Sequence, residues 1–297
     1  MAATPRPRRS VLYMPGSNPR AIEKGRSLPA DALILDLEDA VAPDAKEAAR
    51  AQIAAALTAG GFGPRELVVR VNGLDTPWGR DDLAAMARAG ADAVLLPKVD
   101  GPGPVREAVA LLEANGAPAG LAVWCMVETP LGVLNAKEIA GSSPRMAALV
   151  MGTSDLAKDL RAAHTRDRLP MLTALGLCVL AARAYGLAAL DGVHLDIQDD
   201  EGFAFACRQG RELGFDGKTL IHPRTIDAAN AAFAPDEAEI AWARRVVAAH
   251  AEAMEAGRAV TLLDGKLVEL LHVQEAQRLV SLAEAVRALT VQRGESR

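Results

Sequence analysis

A chain of 297 residues, half of them hydrophobic, can bury a large core, and it suits one α/β barrel as well as two smaller domains. A net charge of -5 and an aromatic content of 3% argue against a nucleic-acid partner, which needs a basic face or a stacking platform. No apolar run approaches the roughly 20 residues that span a bilayer, and no apolar secretory segment precedes the first strand, so no membrane partner and a cytoplasmic location are expected.

In chain order, short β-prone runs alternate with longer helical patterns, the signature of a parallel sheet with crossover helices. Strands are expected over residues 11–14, 32–37, 66–71, 93–96, 121–127, 147–151, 188–193 and 218–221. Helices are expected over 45–59, 81–89, 105–114, 170–185, 199–213 and 236–256, with Pro43, Pro104 and Pro170 near starts and Gly60, Gly90 and Gly186 near ends. Eight such strands point to a (β/α)8 TIM barrel over residues 1–256. The competing doubly wound sheet normally carries a glycine-rich turn after its first strand, and no G-x-G-x-x-G occurs here.

Beyond the barrel, residues 257–297 form a C-terminal helical appendage. Residues 257–271 read as an extended or hairpin piece around Asp264-Gly265, a turn signal. A last helix over 272–289 carries Val273, Ala276, Leu279, Val280, Leu282 and Val286 as an apolar stripe. Packing that stripe on a neighbouring subunit is the expectation. Cys125, Cys178 and Cys207 have neither metal-ligand spacing nor an even count, and are read as buried free thiols.

In a barrel, chemistry sits at the C-terminal strand ends. The second strand ends in Asp36, Glu38 and Asp39, three carboxylates that repel one another unless a cation or substrate compensates. The third ends in Arg70 and Asn72, the fourth in Pro97 and Lys98, the fifth in Glu128 and the sixth in Thr153, Ser154 and Asp155. Glu128 and Asp155, on adjacent strands, are the expected metal ligands, since two carboxylates plus waters and substrate oxygens is how Mg²⁺ is usually held. Arg70 shares a strand face with Val68 and Asn72 and needs an anion, either a substrate oxygen or a salt bridge to Glu38 or Asp39. Lys98 is an alternative Schiff-base residue, and a chain of that kind would ignore chelators. His194 and His222 decide nothing alone.

The segments RSVLYMPGSNPR (9–20), LDLEDAV (35–41), VRVN (69–72), LPK (96–98), VETP (127–130), GTSDL (152–156), LDGVHLD (190–196) and GFDGKTLIHP (214–223) resemble the citrate lyase β-subunit-like CoA-ester lyases of the HpcH/HpaI aldolase superfamily. That resemblance implies a Mg²⁺-dependent barrel, trimeric or hexameric, with Glu128 and Asp155 as metal ligands and Arg70 binding substrate. It implies that Glu38 and Asp39 line the catalytic pocket and that Arg9, Pro15, Arg20 and Lys24 lie along the CoA moiety; Asp36 and Lys98, at the same strand ends, are expected to touch substrate. In several members of the family that this chain resembles, the base is an aspartate on the C-terminal segment, delivered into a neighbouring subunit's site, and this sequence departs from that in offering a glutamate. Glu269 stands at the matching position here, with Asp264 five residues earlier. The expected reaction is carbon–carbon cleavage or formation of a 3-hydroxyacyl-CoA such as malyl-CoA or citramalyl-CoA, giving acetyl-CoA or propionyl-CoA and a 2-oxo acid. The alternatives are a malyl-CoA thioesterase, the β subunit of a multi-subunit citrate lyase, and, from another class, a silent barrel serving as a binding subunit.

Overall fold

A computed structural model describes residues 6–294. Eight parallel strands close into a barrel in strict chain order: β1 (Ser10–Pro15), β2 (Ala32–Asp36), β3 (Glu66–Arg70), β4 (Ala93–Leu96), β5 (Ala122–Val127), β6 (Met146–Met151), β7 (Ala188–Asp191) and β8 (Gly217–Leu220), with β8 pairing back onto β1. The expected strands all form, each within three residues at either end. Helices α1 (Pro19–Gly25), α2 (Lys46–Ala59), α3 (Gly79–Met86) and α4 (Pro102–Ala114) follow the first four strands. After β5 come α5 (Pro130–Leu134) and α6 (Ala136–Ala140), and after β6 come α7 (Thr153–Leu160) and α8 (Leu172–Ala184). Helices α9 (Asp200–Leu213) and α10 (Ile226–Phe233) complete the ring.

Strand alternation sorts the apolar residues into two cores. Outward-facing Leu33, Leu35, Val69, Val94, Val123 and Leu149 pack against the helices. Inward-facing Val11, Ile34, Val68, Leu95, Trp124 and Val150 fill the lumen. Strands covered on both faces read as continuous apolar runs, and that is why they are visible in the sequence.

The chain divides into two compact units. One is Arg8–Phe233; the other takes the chain from Ala234 onward together with residues 6 and 7. The division falls before α11 (Glu237–Glu255), so this helix goes with the C-terminal unit instead of with a barrel ending at residue 256. Residues 1–5 and 295–297 of the expected domains lie outside the described residues. Within the C-terminal unit, β9 (Thr261–Leu263) and β10 (Lys266–Val268) pair as an antiparallel hairpin, and α12 (Leu270–Gln292) follows. Asp264 and Gly265 both have positive φ, 50° and 76°, as a two-residue hairpin turn requires. Val273 and Ala276 of the expected α12 stripe are buried with Ala243, Val246 and Val268, and Leu279 and Val280 pack alongside. Four of the six stripe residues are therefore covered within their own unit.

Candidate active site

The register Pro15–Asp36–Arg70 across β1, β2 and β3 sets these three residues level at the C-terminal rim. Period-two alternation carries Tyr13 two positions beyond Val11, Asp36 two beyond Ile34, Arg70 two beyond Val68, and Met126 and Glu128 two and four beyond Trp124. All are therefore on the lumen side, where a polar group has no route to water except through the mouth.

Arg70 organises this end. Its Nε and Nη2 donate to the two oxygens of Asp36 at 2.7 and 2.5 Å, a bidentate pair. Nη1 lies 2.9 Å from Glu38 and 3.9 Å from Asp39. The guanidinium stacks over the Tyr13 ring at 4.9 Å. Burial works against the Arg70 charge, but the hydrogen bond and charge of Asp36, with Tyr13 and Glu38, leave it held even more firmly than usual. Asp36, expected to touch substrate, also accepts the backbone N–H groups of Glu38 and Ala40 at 2.9 and 3.3 Å. Both of its oxygens are occupied, so it braces Arg70 and shapes the turn carrying Glu38 instead of facing a ligand. Tyr13 was not anticipated. Its hydroxyl meets the Met126 sulfur at 3.5 Å, and burial pushes its ionisation well above the usual range. Only its position two residues past Val11 could have marked it.

Glu38 sits between cations. One oxygen takes Arg70 Nη1 and the Asp39 backbone N–H at 3.0 Å; the other takes the Lys98 ammonium. Burial raises its pKa despite the opposing Arg70 and Lys98. For Lys98, burial disfavours the charge, but the Glu38 hydrogen bond and the charges of Glu38, Asp39 and Glu128 outweigh it and raise the pKa. A raised amine stays protonated, which counts against Lys98 as a Schiff-base nucleophile. Beneath this turn, buried Lys46 donates to the carbonyls of Leu37 and Glu38 at 2.9 and 2.8 Å and fixes its path. Asn72 sits behind the site, donating to Leu37 and Asp82.

Glu128 is almost wholly buried and accepts the Lys98 backbone N–H at 2.7 Å. Burial lifts its pKa to about 7 against the pull of Lys98 and Arg70, and the Asp155 charge adds to the rise. Asp155 lies in the first turn of α7, one turn of chain past β6. The close approach between these segments depends on Gly152, where a Cβ would fall 2.3 Å from Glu128 Cβ and 2.4 Å from its Oε2. A buried carboxylate facing a second carboxylate, both oxygen donors, matches the hard donor set that Mg²⁺ takes with few protein ligands. Among the described residues, no group of three or more His, Cys, Asp or Glu is arranged to hold a metal, so a thiolate or histidine cage is not formed there.

Other expected contacts fall elsewhere. Arg9 precedes β1, at the N-terminal end of the barrel, and its guanidinium forms a bidentate pair with Asp31 at 2.8 and 2.9 Å. It is a structural anchor at the face opposite the acids, because a residue before a strand and one after it lie at opposite ends. Pro15 closes β1 at the correct end, and Arg20 and Lys24 are exposed on the α1 that follows. Glu269 precedes α12 as its N-cap residue and is partly exposed; Asp264 pairs with Arg245 at 2.8 Å, which lowers its pKa. His194 lies 3.8 Å from Asp199, and burial together with Lys218 lowers its pKa. The three cysteines are buried, and burial raises their thiol pKa values, to about 12 for Cys178 and about 11 for Cys207.

An eight-stranded parallel barrel with carboxylates beside a clamped arginine at its C-terminal mouth has the architecture of a barrel enzyme. The chain belongs to the HpcH/HpaI aldolase/citrate lyase family, whose model matches residues 9–223. It is 51% identical over 288 residues, 97% of this chain and 99% of the other, to (3S)-malyl-CoA thioesterase of Cereibacter sphaeroides. It is 39% identical, over 94% of each chain, to citrate lyase subunit beta of Leuconostoc mesenteroides subsp. cremoris. Among solved structures, CitE from Mycobacterium tuberculosis in complex with magnesium, acetoacetate and coenzyme A matches with a TM-score of 0.74 and 32% identity, over 93% of this chain and 97% of that one.

These relatives overturn the expectation of a carbon–carbon lyase. Thioesterases match at 51% where the citrate lyase subunit matches at 39%. The physical reason for the error is plain. Holding an acyl-CoA and stabilising charge on its oxygens are tasks common to both reactions, so strand-end acids and an arginine suited to them do not say which bond breaks.

Proposed function

We propose that this protein is a Mg²⁺-dependent thioesterase that hydrolyses a 3-hydroxyacyl-CoA of the malyl-CoA type. The carrying observation is the 51% identity, over nearly the whole chain, to (3S)-malyl-CoA thioesterase. In the reaction a water oxygen bonds to the thioester carbonyl carbon, the carbon–sulfur bond breaks, and the sulfur leaves with a proton as free CoA thiol. The products are CoA and a hydroxy dicarboxylate.

Glu128 and Asp155 are the residues that would hold Mg²⁺, and the ion when bound supplies Lewis-acid polarisation of the substrate's oxygens. This assignment is supported by the buried Glu128 carboxylate with the half-buried Asp155 near enough to raise its pKa, and by the magnesium in the related CitE complex. Arg70, immobilised by Asp36, presents a fixed positive charge where negative charge develops on the acyl oxygens. Preorganisation of this kind avoids the reorientation that water would need. Glu38 and Asp39 keep Arg70 and Lys98 in register at the pocket wall. Arg20 and Lys24, exposed on the helix after β1, are assigned to the CoA phosphates, supported by their place at the catalytic end. Glu269 is the proposed base that takes the proton of the attacking water, acting on a neighbouring copy in a homo-oligomer.

The test is hydrolysis of (3S)-malyl-CoA by the purified chain, stripped of metal and then titrated with Mg²⁺. The proposal expects activity to vanish with the metal and return with it, and Glu128→Gln to remove it by about 10²-fold or more. Undiminished activity in EDTA would contradict it.

A further inference from the structure

Lys98 occupies a conformation that its residue type avoids. Its φ is 48°, in the left-handed region where a Cβ crowds the neighbouring carbonyl and where glycine is the ordinary occupant. It lies two residues past β4, after Pro97. In that conformation one residue reaches two carboxylates by two different routes. Its main-chain N–H donates to Glu128 Oε1 at 2.7 Å, and its ammonium bonds Glu38 and lies 3.7 Å from Asp39. No other hydrogen bond to the Glu128 carboxylate is found among the described residues, and Glu128 Oε2 lies against Gly152, where no Cβ can fit. The carboxylate is thus oriented by an amide on one side and a bare α-carbon on the other.

We propose that Lys98 is a positioning residue for the metal-binding carboxylate. The ammonium, tied to Glu38, holds the backbone left-handed, and the left-handed backbone aims the amide at Glu128. Strain at this position is then the cost of setting the ligand's orientation, as is seen where functional sites hold residues in sparsely populated conformations. The inference rests on the reading of Glu128 as a metal ligand.

Two variants separate the routes. Lys98→Gly adopts positive φ freely and keeps the N–H, so it preserves the Glu128 contact without the ammonium. Lys98→Met keeps the strain and loses the tie to Glu38, so its backbone relaxes and the amide leaves Glu128. Mn²⁺ binding to the full-length, substrate-free protein is measured by electron paramagnetic resonance, with thermal unfolding as a check on folding. The expected result is Lys98→Gly within about threefold of the wild type and Lys98→Met about tenfold weaker or more. Equal affinities in the two variants, or tighter binding in both as simple removal of a positive charge would give, would overturn the proposal. A purely structural Lys98 would lower the melting temperature of both variants without separating their Mn²⁺ affinities, and that also overturns it. Absence of Mn²⁺ binding by the wild type would remove the metal reading itself, an outcome distinguishable from equal binding by the two variants.

Discussion

At the scale of single residues, the site is a set of buried charges that neutralise one another in pairs. Arg70 and Asp36 are both nearly inaccessible and joined by two hydrogen bonds. Removing one partner leaves the other charged in the lumen, which is far more costly than the net worth of the pair. Asp36→Asn is expected to destabilise the fold by about 3 kcal/mol and to reduce activity further by freeing Arg70; denaturant unfolding and kinetics on the same sample check both. Glu128 makes the stability of the metal-free protein depend on pH. Its pKa is raised by burial from 4.5 to about 7, so between these values the folded state holds a proton that the unfolded chain has lost. This contribution is therefore full below about pH 4.5 and is lost as pH rises through about 7. The metal-free wild type should melt at falling temperature as pH rises from about 4.5 to about 7, Glu128→Gln should show a flatter profile, and Mg²⁺ affinity should rise over the same interval as the competing proton leaves. A flat wild-type profile would contradict the assignment. Glu128, Asp155 and Arg70 were legible because each ends or follows an apolar run. Tyr13 was not, since a tyrosine inside a strand has no signal separating lumen from outer face until the register is known.

At the scale of elements, the strands were legible and several helices were not. Residues 93–96 and 66–71 are apolar enough to stand out, because both faces of such strands are covered. Helices α5 and α6 have five residues each and α7 eight, too short for an apolar period to repeat. Yet α7 carries Asp155, and the Gly152 before it decides how near that turn comes to Glu128. Gly152→Ala puts a methyl within 2.4 Å of the Glu128 carboxylate and must displace it. The variant is expected to fold with a melting temperature a few degrees lower and to bind Mn²⁺ at least tenfold more weakly. Calorimetric titration measures the second effect, and unchanged affinity would show that the contact does not set the ligand's orientation. The hairpin was legible from Asp264-Gly265, whose positive φ values follow from the residue types themselves.

At the scale of the whole molecule, closing the sheet assigns each strand two ends, and that alone sorts residues which look alike in sequence. Arg9 and Arg70 are both arginines beside apolar runs. One precedes its strand and is locked to Asp31 at the N-terminal end; the other closes its strand among the acids. The boundary before α11 shows the same limit, since nothing local marks where one compact unit stops and the next begins. No helix among the described residues is long and apolar enough to cross a membrane. The choice between breaking a carbon–carbon bond and breaking a thioester was the least legible feature. Both reactions would begin from the same bound acyl-CoA, so motifs suited to binding it do not separate them. The decisive measurement is therefore the product ratio from (3S)-malyl-CoA with purified protein and Mg²⁺, following free thiol with a chromogenic disulfide and glyoxylate as its hydrazone. Free thiol and malate in equal amounts, with no glyoxylate, is the predicted result; glyoxylate with acetyl-CoA and no free thiol would contradict it.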